Sequence, residues 1–495
     1  MIRVHSPAFR ATAPAILLGL ALACSTEATP SPPPPPATAA VGLTIVGGNS
    51  QKSVADAELP IVLRVAATRG GALATGQTVQ WDVVSGGATI VAQSPTDAQG
   101  ITTARIRLGA AGPVGIRAQL DTARATFSLT AVGPSTTPIL VGEVPIPPQY
   151  GIHDTFVRDG IAFVSAWNTG VIIYDVGNGR KGGSPSNPVE ISRLVTSDNG
   201  VQGGPEVHNS WWFHNPVTGE KKYLFVGQEG PATIADTSSG DLHVVDVSDL
   251  AAPREVASLR IPGAGVHNFW MDEAKQVLYA AFYNGGVVSL DVSGTLSGNL
   301  TSRIKAQARP GGVGNTFTWG VMLAGGALWA SDFLSGFWKL DPTTLATLGG
   351  GNNVPERWGS DLWVQSQYAY TGTWGGSARN GTGFGDAVKI WQLAGSGPVL
   401  VDSLRIAGIR TVSDVAVTDD GKWLVITAER GPTPGNFNGL YVFDLVNPAQ
   451  PALVGSVVVP NGLHTGEVAR IGGRLFVFAA KNPASPSLQI YDITR

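Results

Sequence analysis

Val171-Ile172-Ile173-Tyr174-Asp175-Val176 is the phrase on which the fold turns, because it returns along the chain. It reappears as Leu242-His243-Val244-Val245-Asp246-Val247, Val287-Val288-Ser289-Leu290-Asp291-Val292 and Phe337-Trp338-Lys339-Leu340-Asp341. Further copies are Val388-Lys389-Ile390-Trp391-Gln392-Leu393, Leu440-Tyr441-Val442-Phe443-Asp444-Leu445 and Leu488-Gln489-Ile490-Tyr491-Asp492-Ile493. Each is an apolar run of strand length closed by Asp, with Gln392 the exception. Another strand precedes each copy, as in Ile161-Ala162-Phe163-Val164, and most are followed by a Pro-marked turn and an alternating strand, as in Pro253 to Leu259. Short strands in groups of four, repeated about every 50 residues, predict a β-propeller. One four-stranded sheet cannot bury both faces, so each must stack on its neighbours. The last copy stops at its third strand. Pro138 to Pro145 mirrors the outer strand Pro451 to Val457, and is expected to complete the seventh blade and close the ring.

These phrases resemble the LVIVD-repeat family of bacterial and archaeal surface propellers, over residues 138–495. The resemblance implies a seven-bladed, surface-associated propeller and brings no settled catalytic residues.

Working outward, residues 42–133 alternate with a period of two, as in Val79-Gln80-Trp81-Asp82-Val83 and Ala125-Thr126-Phe127-Ser128-Leu129. Short strands between Gly- and Asp-rich turns read as a sandwich, with Trp81 as its core anchor. The runs Ala74 to Val79 and Ser94 to Ala104 resemble the bacterial immunoglobulin-like domains of invasins and intimins, which implies a spacer that projects another module. The fold class expected is therefore all-β: an immunoglobulin-like β-sandwich followed by a seven-bladed β-propeller.

Residues 1–23 place Arg3 and Arg10 before the uncharged run Ala13 to Ala23, the pattern of a signal peptide. The run ends at Cys24, the single cysteine of the chain. The segment resembles a bacterial lipoprotein signal, departing from it at Ala21, where Leu is usual. That resemblance implies lipidation at Cys24 and, with Ser25 following, an extracytoplasmic location on the outer membrane or cell surface. An ordinary secretory signal with an incidental cysteine is the alternative. Residues 24–41 form a Pro-rich linker in which Pro32 to Pro36 favour extended polyproline II. With 33 basic and 36 acidic residues and no basic block, nucleic acid is not an expected partner. The membrane is reached through the lipid alone.

A second repeat marks the start of each blade's inner strand: Ile152-His153-Asp154, Val207-His208-Asn209, Val266-His267-Asn268, Gly359-Ser360-Asp361, Val412-Ser413-Asp414 and Leu463-His464-Thr465, with Asn315 to Trp319 in their place in the fourth blade. Equivalent positions would bring His153, His208, His267 and His464 to one arc of the channel mouth. Imidazoles so grouped could hold a divalent transition metal, with Glu206 or Glu467 nearby. Alternation on a strand sends the neighbours Asp154, Asn209, Asn268, Asp361 and Asp414 into the blades; with Ser360, Ser413 and Trp374 they are the candidate ligand-binding residues. Ser360 and Ser413 offer hydroxyls at the ring, and Trp374, in the Gly-rich stretch Gly372 to Gly385, offers a stacking face. The same repeat could instead be an inter-blade hydrogen-bonding device.

No nucleophile elbow, phosphate loop or zinc-protease motif appears, so no residue is assigned a catalytic role. The expected function is non-enzymatic binding of an envelope or extracellular protein, a polysaccharide or a small ligand through one propeller face. A metal-dependent extracytoplasmic hydrolase or oxidoreductase using the histidine cluster is the alternative.

Overall fold

The computed structural model of the 495-residue chain describes residues 39–133, 137–147, 151–197, 205–351, 357–375, 384–430, 438–481 and 485–494. The chain divides into a unit Met1–Ala40 and a unit Val41–Arg495. The signal segment, Cys24 and the proline run lie outside the described residues. Among the described residues the structure is all β apart from a three-residue 3-10 turn at Thr301–Arg303, and no helix is long and apolar enough to cross a membrane.

Residues 41–132 form two sheets around one apolar core. One orders Val41–Gly47, Leu63–Arg69, Ile101–Leu108 and Ala88–Gln93, and the other orders Lys52–Val54, Ala123–Val132, Gly112–Leu120 and Gln80–Ser85. The period-two pattern is visible in Ala123–Val132, where Ala125, Phe127, Leu129 and Ala131 are buried between exposed neighbours. Trp81 packs on Phe127 with ring centroids 5.6 Å apart, and its indole N–H donates to Thr102 Oγ1 at 3.3 Å.

Residues 139–492 form seven successive sheets of four antiparallel strands, the second of which adds a short parallel strand, Gly298–Asn299. The innermost strands are Asp154–Arg158, Val207–Phe213, Phe269–Asp272, Thr318–Ala324, Trp358–Gln365, Ile409–Val417 and Leu463–Ile471. Each packs against the next, and the last returns to the first. The seventh sheet is built from both ends of this region, with Ile139–Pro145 pairing antiparallel with Ser487–Asp492. A buried Arg474–Asp492 ion pair lies in that sheet, and Glu143 accepts from Ser487 Oγ and Gln489 Nε2. The N-terminal sheets touch the same closing strand: Lys52 Nζ donates to Leu140 O at 2.9 Å, and Ile61 packs into the core shared by the seventh and first sheets.

The Asp that ends the repeated phrase has a local cause. Its carboxylate accepts backbone N–H groups of the turn that follows, from Gly177 and Asn178 at Asp175, Ser293 at Asp291, Val446 at Asp444 and Thr494 at Asp492. This is the Asx-turn device that makes Asp a strand terminator.

The inner strands share an irregularity that shapes the axis. At the start of each, two residues oppose one on the second strand, as the register shifts at Val207/Asn209, Thr318/Gly320, Gly359/Leu362, Val412/Asp414 and Leu463/Gly466 record. In the first sheet His153 N donates to Ser165 O, although Asp154 is the residue opposite Ser165. In the third, Ala281 serves both His267 N and Asn268 O. A bulge of this kind re-aims side chains and breaks strict alternation. Gly227 and Gly372 lie opposite it because a Cβ there would meet Asn209 Oδ1 at 2.4 Å or Ser360 Oγ at 2.3 Å.

Candidate metal centre at the axial mouth

The bulge delivers four imidazoles to one place. Adjacent ring centroids are 4.2 Å apart for His464 and His153, 3.8 Å for His153 and His208, and 4.1 Å for His208 and His267. All four are buried. His464 Nε2 lies 2.7 Å from His153 Nε2. In the fourth sheet Trp319 takes the histidine position, packs on His267 with ring centroids 4.2 Å apart and planes tilted by 44°, and accepts from His267 Nδ1 through its carbonyl at 2.6 Å.

Two acids complete the cluster, and sequence reasoning missed both. Glu229 Oε2 lies 3.6 Å from His153 Nε2 and 3.6 Å from His208 Nε2. Its other oxygen accepts the Tyr283 hydroxyl. Glu429 is hydrogen-bonded to His464 Nδ1. The signal was available as a third repeat, two residues beyond the residue opposite the bulge: Trp167, Glu229, Tyr283, Phe333, Trp374 and Glu429. Acids occur there only in the second and sixth sheets. The carboxylates flagged from sequence lie elsewhere: Glu467 borders the axial cavity below, and Glu206 precedes the second inner strand at a positive φ of 39°.

The electrostatics divide the ring. Burial, then the proximity of the other imidazoles, holds His153 and His208 well below the usual histidine range. Burial lowers His267 to about 3. His464 moves the other way: burial opposes its charge, but the hydrogen bond and charge of Glu429 outweigh that and raise it. Burial raises Glu229. A protonated His464 can therefore donate to the neutral His153 at Nε2 as long as that lone pair is not engaged by a metal. His208 carries two ring nitrogens, and His153 one, with no hydrogen-bond partner among the described residues. A buried nitrogen on a neutral imidazole with no other partner is able to ligate a metal. His153, His208 and Glu229 each present one donor atom, all within 4.8 Å of one another. Imidazole nitrogens with a carboxylate oxygen suit Zn²⁺ and its neighbours, and a carboxylate or carbonyl on the far ring nitrogen, as at His464 and His267, is the usual orienting support.

The residues beside the histidines depart from expectation. Asp154, Asn209, Asn268, Asp361 and Asp414 do not turn into the blades but wall an axial cavity below the imidazoles, because the bulge cancels the alternation on which that expectation rested. Asn268 Nδ2 donates to Asp361 Oδ1 at 3.0 Å, reaching from the third sheet to the fifth. Ser360 and Ser413 do not serve the ring with their hydroxyls. Ser360 Oγ donates to Val412 O at 2.6 Å and Ser413 Oγ to Leu463 O at 3.3 Å, each tying an inner strand to the next. A short buried hydroxyl finds the neighbouring carbonyl before it can reach the axis. Trp374 is half-buried at the end of the strand Tyr368–Trp374, 4.9 Å from Trp319 and 6.0 Å from His464, and joins an aromatic cluster with Tyr283, Phe317 and Phe333. Residues 376–383 of the Gly-rich stretch lie outside the described residues.

The LVIVD repeat model matches residues 222–260 and 435–459, which span strands of the second and sixth sheets. No curated protein matches the chain. Among solved structures, the chain is similar to the β-propeller domain of Myceliophteria thermophila Cps50 (Swd1), with 11% identity, coverage of 72% of this chain and 100% of that one, and a TM-score of 0.49. The protein is an all-β chain that carries LVIVD repeats in a β-propeller.

Proposed function

We propose that this chain is an exported, lipid-anchored binding module: a seven-bladed LVIVD propeller on an immunoglobulin-like spacer, which captures a ligand at its axial mouth through a transition-metal centre. His153, His208 and Glu229 hold the metal, and His464, fixed by Glu429, stands beside it. The observation that carries this reading is the convergence of neutral, buried imidazoles with orphaned nitrogens on a carboxylate. The cyclic contact of seven inner strands supports the blade count, and the two sheets sharing one core support the spacer. The ligand is an envelope or extracellular protein, a polysaccharide or a small molecule with a donor for the metal's open position. The membrane is engaged through Cys24 and nucleic acid is not a partner.

Metal analysis of protein purified without chelator tests the centre. About one equivalent of Zn²⁺ or a neighbouring metal is expected in the wild type and none in a His208→Ala, Glu229→Gln variant. A metal-free wild type that takes up no Zn²⁺ on addition would sink the proposal. Detergent partitioning that is unchanged by Cys24→Ser would remove the anchor.

A second reading, a metal-dependent hydrolase or oxidoreductase, has one observation on its side: the His464–Glu429 pair places a proton-carrying group against a metal ligand. It requires turnover by metal-loaded protein that His464→Gln abolishes while metal content stays the same.

A further inference from the structure

Below the imidazoles, all seven inner strands wall a cavity of about 130 Å³. Asp154, Asp361, Asp414 and Glu467 border it, and among the described residues no lysine, arginine or histidine does. Neutral donors fix these carboxylates: Thr155 N to Asp154 Oδ1 at 2.8 Å, Gly466 N to Asp414 Oδ2 at 2.7 Å, and the Asn268 amide to Asp361 Oδ1. They position oxygens but bring no charge themselves; the opposing charge acting on Asp154 and Asp414 is that of His464 above. Four carboxylates enclosed together outnumber it and are costly to ionise.

An independent observation points to a ligand. Thr155 Oγ1 and Ser210 Oγ are buried side-chain oxygens with no hydrogen-bond partner among the described residues, and both residues wall the same cavity. The indole N–H groups of Trp211 and Trp363, in the same wall, also lack such a partner, but the atoms there able to ligate a cation, the unsatisfied side-chain oxygens and the carboxylates, are all oxygens. Hard cations select such sets, and Ca²⁺ takes roughly 6–8 oxygens in flexible geometry. Imidazole-rich sets select borderline metals instead. We propose that the axial cavity is a second cation site, specific for a hard divalent ion of the Ca²⁺ class, held by Asp154, Asp361, Asp414 and Glu467 and completed by oxygens of its wall. It does not rest on the nitrogen-lined centre above it.

Trp211, Trp270 and Trp363 wall the same cavity, so Tb³⁺ bound there is sensitised by indole excitation. For the chelator-treated full chain, the expected result is sensitised emission that Ca²⁺ displaces and Zn²⁺ leaves in place. Asp361→Asn with Asp414→Asn is expected to weaken Ca²⁺ on the order of tenfold or more. His208→Ala with Glu229→Gln is expected to leave Ca²⁺ binding unchanged while removing the transition metal, so the two sites fail separately. Should the carboxylate variant misfold, the wild-type displacement series still decides. The proposal is overturned if no sensitised emission develops, if a folded carboxylate variant binds Ca²⁺ like the wild type, or if tetramethylammonium displaces Tb³⁺ and Ca²⁺ does not. The last outcome would make the aromatic wall an organic-cation cage.

Discussion

The histidine arc and the serine arc of the axial ring share one strand position and one bulge, yet their side chains do different work. On the serine side, Ser360 and Ser413 spend their hydroxyls on the carbonyl of the next inner strand. On the histidine side, His208 makes no hydrogen bond through either ring nitrogen, and His153 leaves one nitrogen orphaned. Repeat folds duplicate structural residues readily, so repetition alone cannot separate a fastening from a site. The bonding does: the serine hydroxyls are satisfied by the fold, whereas on the histidine arc His208 and one nitrogen of His153 have no partner among the described residues. The comparison predicts that the two arcs fail in different currencies when mutated.

The largest difference is expected in metal content. His208→Ala with Glu229→Gln should empty the centre, while Ser360→Ala should leave its stoichiometry at the wild-type value. Elemental analysis of the two proteins, purified in parallel, checks this. Equal loss in both would mean that the arcs are not distinct.

Next is Glu429→Gln. Glu429 touches no proposed ligand atom directly but orients His464. His464 in turn bonds the ligand His153, so the change is one step removed from the metal, and a fall in affinity of less than about 10-fold is expected, below the usual effect of a partner bonded to a ligand itself, which a competition titration against a chelator would read. A fall of about 10–100-fold would make His464 a ligand.

Sequence showed the strands, the closing segment and the histidine position, because each is written in a local period or in a repeat. It did not show which way the neighbouring acids face. Alternation sent Asp154 and Asp361 into the blades, and a bulge, which leaves no periodic trace, brought them to the axis. Glu229 and Glu429 were missed for another reason: their repeat position lies at the end of a different strand than the histidines, and only the ring brings the two positions together. The serines looked like ring donors because a strand position was read as a chemical role.

A third prediction sharpens the comparison through pH, in chelator. His267 falls from an ordinary value of 6.5 to about 3 in the folded protein. A depressed base stabilises the fold above its unfolded pKa and gives that stability up as pH falls toward the folded value. From pH 7.5 to 5, His267 should cost the wild type about 2 kcal/mol that His267→Gln does not lose. Glu467, raised by burial to about 8, has the opposite sign, with its contribution present below about 4.5 and lost as pH climbs through 8. The two signs partly cancel in the wild type, so the difference between each variant and the wild type, measured by urea unfolding at several pH values, is the informative quantity. A difference for His267→Gln that does not change with pH would show its ring to be solvated.

The smallest effects lie on the serine arc, and there the comparison is most exposed. Ser360→Ala leaves the buried Val412 carbonyl without its 2.6 Å donor and is expected to cost about 1 kcal/mol in urea unfolding. Ser413→Ala removes a bond of 3.3 Å, near the weak limit of the geometry, and should cost about half as much. Neither change creates a large cavity, since only one oxygen is lost, so the ranking follows hydrogen-bond quality and not packing. The reverse ranking, or a loss of bound metal in either variant, would mean that the hydroxyls reach the axis after all. The serine arc would then belong to the same site as the histidines and would no longer serve as the internal control that makes the histidine arc readable.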